Sequence, residues 1–134
     1  VEFVRQNLLL IIVAVVSGLM LIVPMLRGGR GRRVEPQEAV LKMNHEDAIV
    51  LDVREAAEYA QGHIPRARHI PLGELARRIG ELEKFKDKPI IVACRSGHRS
   101  AGACGILAKH GFGNVYNLAG GMIAWEAANL PVEK

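Results

Sequence analysis

The sequence predicts an α/β domain, a small and mostly parallel sheet with helices on both faces, preceded by one N-terminal transmembrane helix. Three observations carry this expectation. Leu8–Leu26 is a run of nineteen residues without a charge. Short β-branched apolar runs occur at 48–51 and 89–93, and such runs suit strands covered on both faces. Segments with apolar residues at spacings of three and four lie between and after them, and strands alternating with helices over about 100 residues build a mostly parallel sheet.

Composition bounds the function classes. The chain has 134 residues, 49% of them hydrophobic, which excludes a disordered chain. With only two cysteines, Cys94 and Cys104, a disulfide scaffold is excluded. They form no CxxC pair and no regular Cys/His spacing, so no metal site is expected. The formal charge is +4, but residues 1–33 hold five Arg and one Glu, and residues 34–134 hold 13 basic and 13 acidic side chains. The globular part therefore has no net basic footprint, and no nucleic-acid partner is expected.

The expected organisation is a short flank at 1–7, a transmembrane helix at 8–26, a basic linker at 27–34 and a domain at 35–134. An uncharged helix of that length nearly spans the ~30 Å hydrocarbon core at ~1.5 Å per residue. The run is longer than a signal-peptide core, and no A-x-A-like cleavage site follows it. Arg27, Arg30, Arg32 and Arg33 follow the run, whereas Glu2 and Arg5 precede it. By the positive-inside rule this predicts a single-pass protein of the inner (cytoplasmic) membrane, with the C-terminal domain in the cytoplasm. Two unpaired cysteines fit a reducing compartment.

In the domain, Pro36 suits the first turn of a helix ending near Met43. Ala48–Leu51 is the first strand and ends at Asp52. A short strand is expected at Arg68–Ile70. Leu72, Leu75, Ile79 and Leu82 share one face of a helix. Pro89–Ala93 is a strand ending at Cys94. Ser100–His110 forms a helix closed by Gly111, Val115–Leu118 a further strand, and a short helix follows Gly120-Gly121. In parallel sheets ligands bind beyond the carboxyl ends of the strands, where Asp52 and Cys94 are expected.

The segment with the clearest chemistry is Cys94-Arg95-Ser96-Gly97-His98-Arg99, which runs into the Ser100 helix. A cysteine leaving a buried strand at a helix N-terminus meets unpaired N–H groups and the positive end of the dipole. Both stabilise a thiolate, and Arg95, Arg99 and a protonated His98 add to the effect. Gly97 permits a tight backbone turn around an anion.

Here the sequence resembles the single-domain rhodaneses, a sulfurtransferase family, in a form with an N-terminal membrane anchor. The matching pieces are Leu51-Asp52-Val53-Arg54-Glu55 with Glu58-Tyr59, then Gly62-His63-Ile64-Pro65, Ala67 and Ile70-Pro71. Cys94 through Ala101, Gly111-Phe112, and Gly120-Gly121-Met122 through Trp125 follow in the family's order. The resemblance runs from about Glu35 to Pro131, and Arg66 departs from it, standing where glycine is common. It implies a rhodanese-like fold and ping-pong chemistry in which Cys94 takes sulfane sulfur from a donor such as thiosulfate and becomes a persulfide. The acceptor is then cyanide in vitro, or a thiol or carrier-protein acceptor in the cell. Sulfur is carried covalently, so no cofactor is implied. Arg95, Ser96, Gly97, His98 and Arg99 are the expected persulfide-binding loop, with Arg99 positioning the donor and Arg95 steering anions. Four residues separate Cys94 from Arg99, one fewer than in related phosphatases, and by resemblance the shorter loop suits a sulfur atom.

Asp52, Arg54 and Glu58 are expected to support the loop by ion pairs and hydrogen bonds. His63 is expected to bond backbone near its turn. Cys104 is open to two readings, a resolving thiol or a core residue. It shares a helix face with Ala101, Leu107 and Ala108, which favours the core. A second functional reading is a membrane-tethered binding or scaffold module with little turnover. Persistence of Cys94 with Arg99 favours the enzyme, since a scaffold needs neither.

Overall fold

The structure, a computed structural model, describes residues 1–27 and 32–134, side chains at 23–27 excepted. Two helices come first, α1 (Glu2–Gln6) and α2 (Leu8–Arg27). The domain then runs β1 (Arg32–Val34), α3 (Pro36–His45), β2 (Ile49–Asp52), α4 (Ala56–Gln61), β3 (Arg68–His69) and α5 (Leu72–Arg78). A 3₁₀ segment (Ile79–Phe85) leads to β4 (Ile90–Ala93), α6 (His98–Lys109), β5 (Val115–Leu118) and α7 (Gly121–Ala127).

The five strands lie in the order β1-β5-β4-β2-β3, and every pairing is parallel. All four residues of β4 are buried at the centre of the sheet. Alternate strand residues point to opposite faces, and the two cores follow that period. Leu51, Val53, Ile90 and Val92 pack with Leu75, Leu82, Cys104 and Leu107 under α5 and α6. Val50, Ile91, Ala93 and Leu118 pack with Ala39, Met122 and Trp125 under α3 and α7. The expected α/β fold with a parallel sheet and helices on both faces is the fold observed.

Several elements differ from the sequence reading. Strand β1 starts at Arg32, inside the stretch read as linker, and pairs with β5 from Arg32↔Tyr116 to Val34↔Leu118. The linker residues 28–31 lie outside the described residues. The single helix expected over Leu72–Leu82 is α5 followed by the 3₁₀ segment. Gly80 disfavours the α-helix there by about 1 kcal/mol relative to Ala. A repeat of three residues per turn instead brings Ile79, Leu82 and Phe85 against the core. Helix α4 was not expected at all, and a capping box between Glu55 and Glu58 opens it. Arg66, the departure noted above, adopts a left-handed φ of 67°, a conformation glycine holds without strain.

The membrane expectation is corrected. Among the described residues no helix is long and apolar enough to cross a membrane. Asn7 separates α1 from α2, and α1 carries Glu2, Arg5 and Gln6, so α2 gains no apolar length towards the N-terminus. The inner-membrane localisation with a cytoplasmic domain is therefore withdrawn, and neither the transmembrane helix at 8–26 nor the membrane as a partner is supported by the described residues.

Candidate active site

Cys94 follows the last residue of β4, at the carboxyl edge of the sheet. The chain turns through Arg95, Ser96 and Gly97 and enters α6 at His98, two residues earlier than expected. Gly97 is the residue that permits the turn, with φ 105° and ψ −5° at the N-cap of α6. This left-handed conformation strongly disfavours side chains other than glycine's. It aims the Gly97 N–H at the sulfur, Gly97 N to Cys94 Sγ being 3.0 Å.

The rest of the loop is oriented from outside. The first turn of α7 donates two N–H groups to its carbonyls, Met122 N to Cys94 O at 2.8 Å and Ile123 N to Arg95 O at 3.1 Å. In a trans peptide the N–H points opposite to the C=O. Pulling the Arg95 carbonyl outward therefore turns the Ser96 N–H inward. Gly121 makes this approach possible. A Cβ at that position would collide with the Cys94 carbonyl oxygen and stand 2.6 Å from the Arg95 carbonyl carbon.

Two opposed effects set the state of the thiol. Cys94 is 1% exposed, and burial alone raises its pKa. Against that act a hydrogen bond with the Ser100 hydroxyl and the backbone N–H groups of Ser100, Gly97 and Ser96. The hydrogen bonds prevail, and the Cys94 pKa lies below its ordinary value. Cys104 is the contrast. It lies in the core, and burial together with the charge of Cys94 pushes its thiol up to about 12, so it stays a neutral, unreactive thiol.

The charged residues divide into two groups. Asp52 and Arg54 pair with each other in a buried bidentate contact, Arg54 Nη2 to Asp52 Oδ2 being 2.7 Å and Nε to Oδ1 3.0 Å. Arg54 also donates to the Gly62 carbonyl at 2.8 Å. Their contacts hold the end of β2 and the turn after α4, not the cysteine loop. Glu58 does reach the loop, accepting both Arg99 Nη1 at 2.6 Å and Nη2 at 2.8 Å. Arg95, Ser96 and His98 are exposed. Arg95 also lines, with Arg54, Glu58, Gln61, Ile123 and Glu126, a cleft of about 280 Å³ beside the loop. His63 bonds the Tyr59 carbonyl from Nδ1 at 3.0 Å and stacks on the Tyr59 ring, away from the sulfur.

Two site residues were missed in the sequence. The sequence marks Ser100 as a helix start within the matching Cys94–Ala101 piece and gives it no role at the site, yet its Oγ is 3.3 Å from Cys94 Sγ. Asn117 was read only as strand. It is a polar residue inside an otherwise apolar strand, and that was the available signal.

The Glu58–Arg99 pair has a consequence in acid. The bond from Arg99 holds the Glu58 carboxyl at about 2 against burial, which pushes the other way, with the Glu55 N–H adding to the lowering. A pKa depressed in the folded state gives stability that is present above the ordinary glutamate value. It is lost as pH falls through the folded value. The pair is partly exposed, so about 1 kcal/mol is expected. Glu58→Gln should therefore lower Tm by about 4 °C at neutral pH and converge with the parent protein near pH 2, as thermal melts across that range will read.

Residues 35–128 match the Rhodanese-like domain family. The chain belongs to that family. A "Sulfurtransferase" of Allochromatium vinosum is 44% identical over 87 residues, covering 65% of this chain and 79% of that protein. A "Thiosulfate sulfurtransferase GlpE" of Pseudoalteromonas translucida is 38% identical, covering 64% of this chain and 80% of its own length. Among solved structures, a rhodanese-related protein from Thermoplasma volcanium superposes with a TM-score of 0.69 at 32% identity. It covers 76% of this chain and 97% of that one. At the level of the family, these similarities are to sulfurtransferases of the rhodanese-like fold.

Proposed function

We propose that this rhodanese-like domain is a sulfurtransferase that works through a persulfide on Cys94. One observation carries the reading. A strand-end thiol is buried yet has a lowered pKa, and backbone N–H groups of its loop and helix converge on it. Such a site stabilises negative charge on sulfur without a neighbouring base.

In the charging step the Cys94 thiolate attacks the outer sulfur of thiosulfate. The new S–S bond forms as the old one breaks, and sulfite leaves with the electron pair. The persulfide on Cys94 carries one negative charge on its outer sulfur, which loop N–H groups can hold. In the discharging step a thiophile attacks that outer sulfur, and the electron pair of the S–S bond returns to Cys94 Sγ. Cyanide gives thiocyanate; a thiol or a carrier-protein acceptor would itself become a persulfide. Bidentate bonding to Glu58 fixes Arg99 beside the loop and leaves its remaining N–H donors for the anionic donor. The exposed Arg95 steers anions towards the loop. The cycle needs no cofactor or metal.

The test is intact-mass analysis of the full chain after incubation with thiosulfate. One added sulfur is expected, removable by cyanide with release of thiocyanate and absent in Cys94→Ala. Thiocyanate production should fall by about 10³-fold or more in that variant. No adduct from thiosulfate or from an organic persulfide would overturn the enzyme reading and leave a binding module.

A further inference from the structure

Behind Cys94 lies a chain of polar atoms with fewer protons than acceptors. Ser100 Oγ is 3.3 Å from Cys94 Sγ and 2.6 Å from Asn117 Oδ1, to which it donates. A serine hydroxyl has a single proton, so it serves one of these acceptors at a time. The other end of the Asn117 amide decides which. Asn117 Nδ2 donates to the Gly97 carbonyl at 3.2 Å. That contact fixes the amide with its oxygen towards Ser100. Ser100 is fully buried and Asn117 9% exposed, so water does not readily replace a lost partner.

The two states of the sulfur are served unequally. A neutral thiol completes the chain, with the S–H donating to Ser100 Oγ and the Ser100 O–H donating to Asn117. A thiolate gains the Ser100 proton only if that hydroxyl turns away from Asn117 and leaves a buried amide oxygen without a donor. When sulfur is loaded, the charge moves to the outer atom. Sγ then needs no proton, and Ser100 stays on Asn117.

We propose that Asn117 is a positioning residue that draws the Ser100 proton away from Cys94. It thereby favours the sulfur-loaded protein over the free thiolate. Its role in transfer rests on the persulfide cycle proposed above; its effect on the thiol does not. In discharge, Cys94 Sγ is the leaving group that receives the electron pair of the S–S bond. A less stabilised thiolate leaves more slowly and attacks a donor more strongly.

Other charges near the sulfur are unchanged when Asn117 is replaced. Arg99 of α6 is bound to Glu58 of α4, Asp52 is paired with Arg54, Arg95 and His98 are exposed, and the Cys104 thiol is neutral.

The experiment measures the rate of Cys94 alkylation by iodoacetamide against pH, a reading that needs no donor or acceptor. It uses the full chain with Cys104→Ala as background. Asn117→Ala, and Asn117→Leu as an isosteric variant that keeps the strand packed, should each lower the midpoint by about one pH unit. Because Asn117 acts through the hydroxyl, neither should lower it when Ser100→Ala is also present. An unchanged or raised midpoint in the folded single variants overturns the proposal, as does an equal fall without the Ser100 hydroxyl. A merely structural role would slow the reaction and leave the midpoint in place. If the midpoint falls but no persulfide forms on the parent protein, the proton argument stands and the sulfurtransfer reading fails.

Discussion

Gly121→Val should abolish most of the activity while leaving the sheet intact. Gly121 has φ 57°, a conformation in which β-branched residues are genuine outliers. Its missing side chain is also the space through which α7 touches the cysteine loop. A Cβ there would meet the Cys94 carbonyl oxygen, and the Arg95 carbonyl carbon and oxygen would both lie 2.6 Å away. These are backbone atoms, so they cannot rotate aside as a side-chain tip would. Relief requires moving the loop away from α7, which breaks the bonds from Met122 and Ile123. Those bonds fix the Cys94 and Arg95 carbonyls, and the second of them holds the Ser96 N–H towards the sulfur. Displacement of about 1 Å at a reacting centre costs on the order of 10²-fold, and losing one charge-stabilising donor costs about 10²–10³-fold. Thiocyanate formation in Gly121→Val should therefore fall by at least about 10²-fold, with the Cys94 alkylation midpoint raised. Gly80→Ala is the control, because nothing lies within 4 Å of its added Cβ. Activity in Gly121→Val within threefold of the parent would show that α7 does not orient the loop.

The chain signals its parallel sheet and its reactive loop in different ways. Strands β2, β4 and β5 are short apolar runs with the period of a pleated, doubly covered sheet, and β4 is buried throughout. The Cys94 loop shows itself by two arginines and a glycine between a strand and a helix. Elements held by tertiary contact were less legible. Strand β1 is Arg32-Arg33-Val34, with no apolar alternation to mark it; it exists because β5 offers an edge. Helix α4 starts at a Glu55–Glu58 capping box, where serine or threonine is the usual opening signal. The split at Gly80 turns on one residue's helix propensity.

The same division runs through the site. Spacing points to Cys94 and its loop as the candidate site, but Asn117 is 23 residues further on and meets Ser100 only because β5 lies beside β4. Asp52, Arg54 and Glu58 were read together, whereas the fold separates them by partner. Charge pattern in a sequence shows which residues can pair and not which do. The apolar run at the N-terminus shows a further limit, since hydropathy alone implied a span that the described helix does not provide.

Breaking the Asp52–Arg54 pair should be the most destabilising of the charge removals. Asp52 is the last residue of β2, paired with Ala93 in the neighbouring strand, one residue before Cys94. Its carboxylate is 1% exposed and its partner's side chain 8%. Besides the guanidinium, Asp52 Oδ1 accepts the Arg54 backbone N–H at 3.0 Å. Arg54→Ala leaves that carboxylate buried without its cation and the Gly62 carbonyl without its donor. Removing one member of a buried pair typically costs about 3–5 kcal/mol, a large part of the ~5–15 kcal/mol by which domains are stable. The midpoint of urea unfolding should fall accordingly with little change in slope. Removing both charges should be milder. Asp52→Asn with Arg54→Met keeps an acceptor for the backbone N–H and fills the volume, so the double variant should recover about half the loss or more. Activity at 25 °C should track the folded fraction, and the Cys94 alkylation midpoint should stay where it is, because the pair's contacts run to β2 and Gly62 and not to the sulfur. A loss below about 1 kcal/mol in Arg54→Ala would mean that water reaches Asp52 in solution. A moved alkylation midpoint would instead place the pair in electrostatic contact with the thiol.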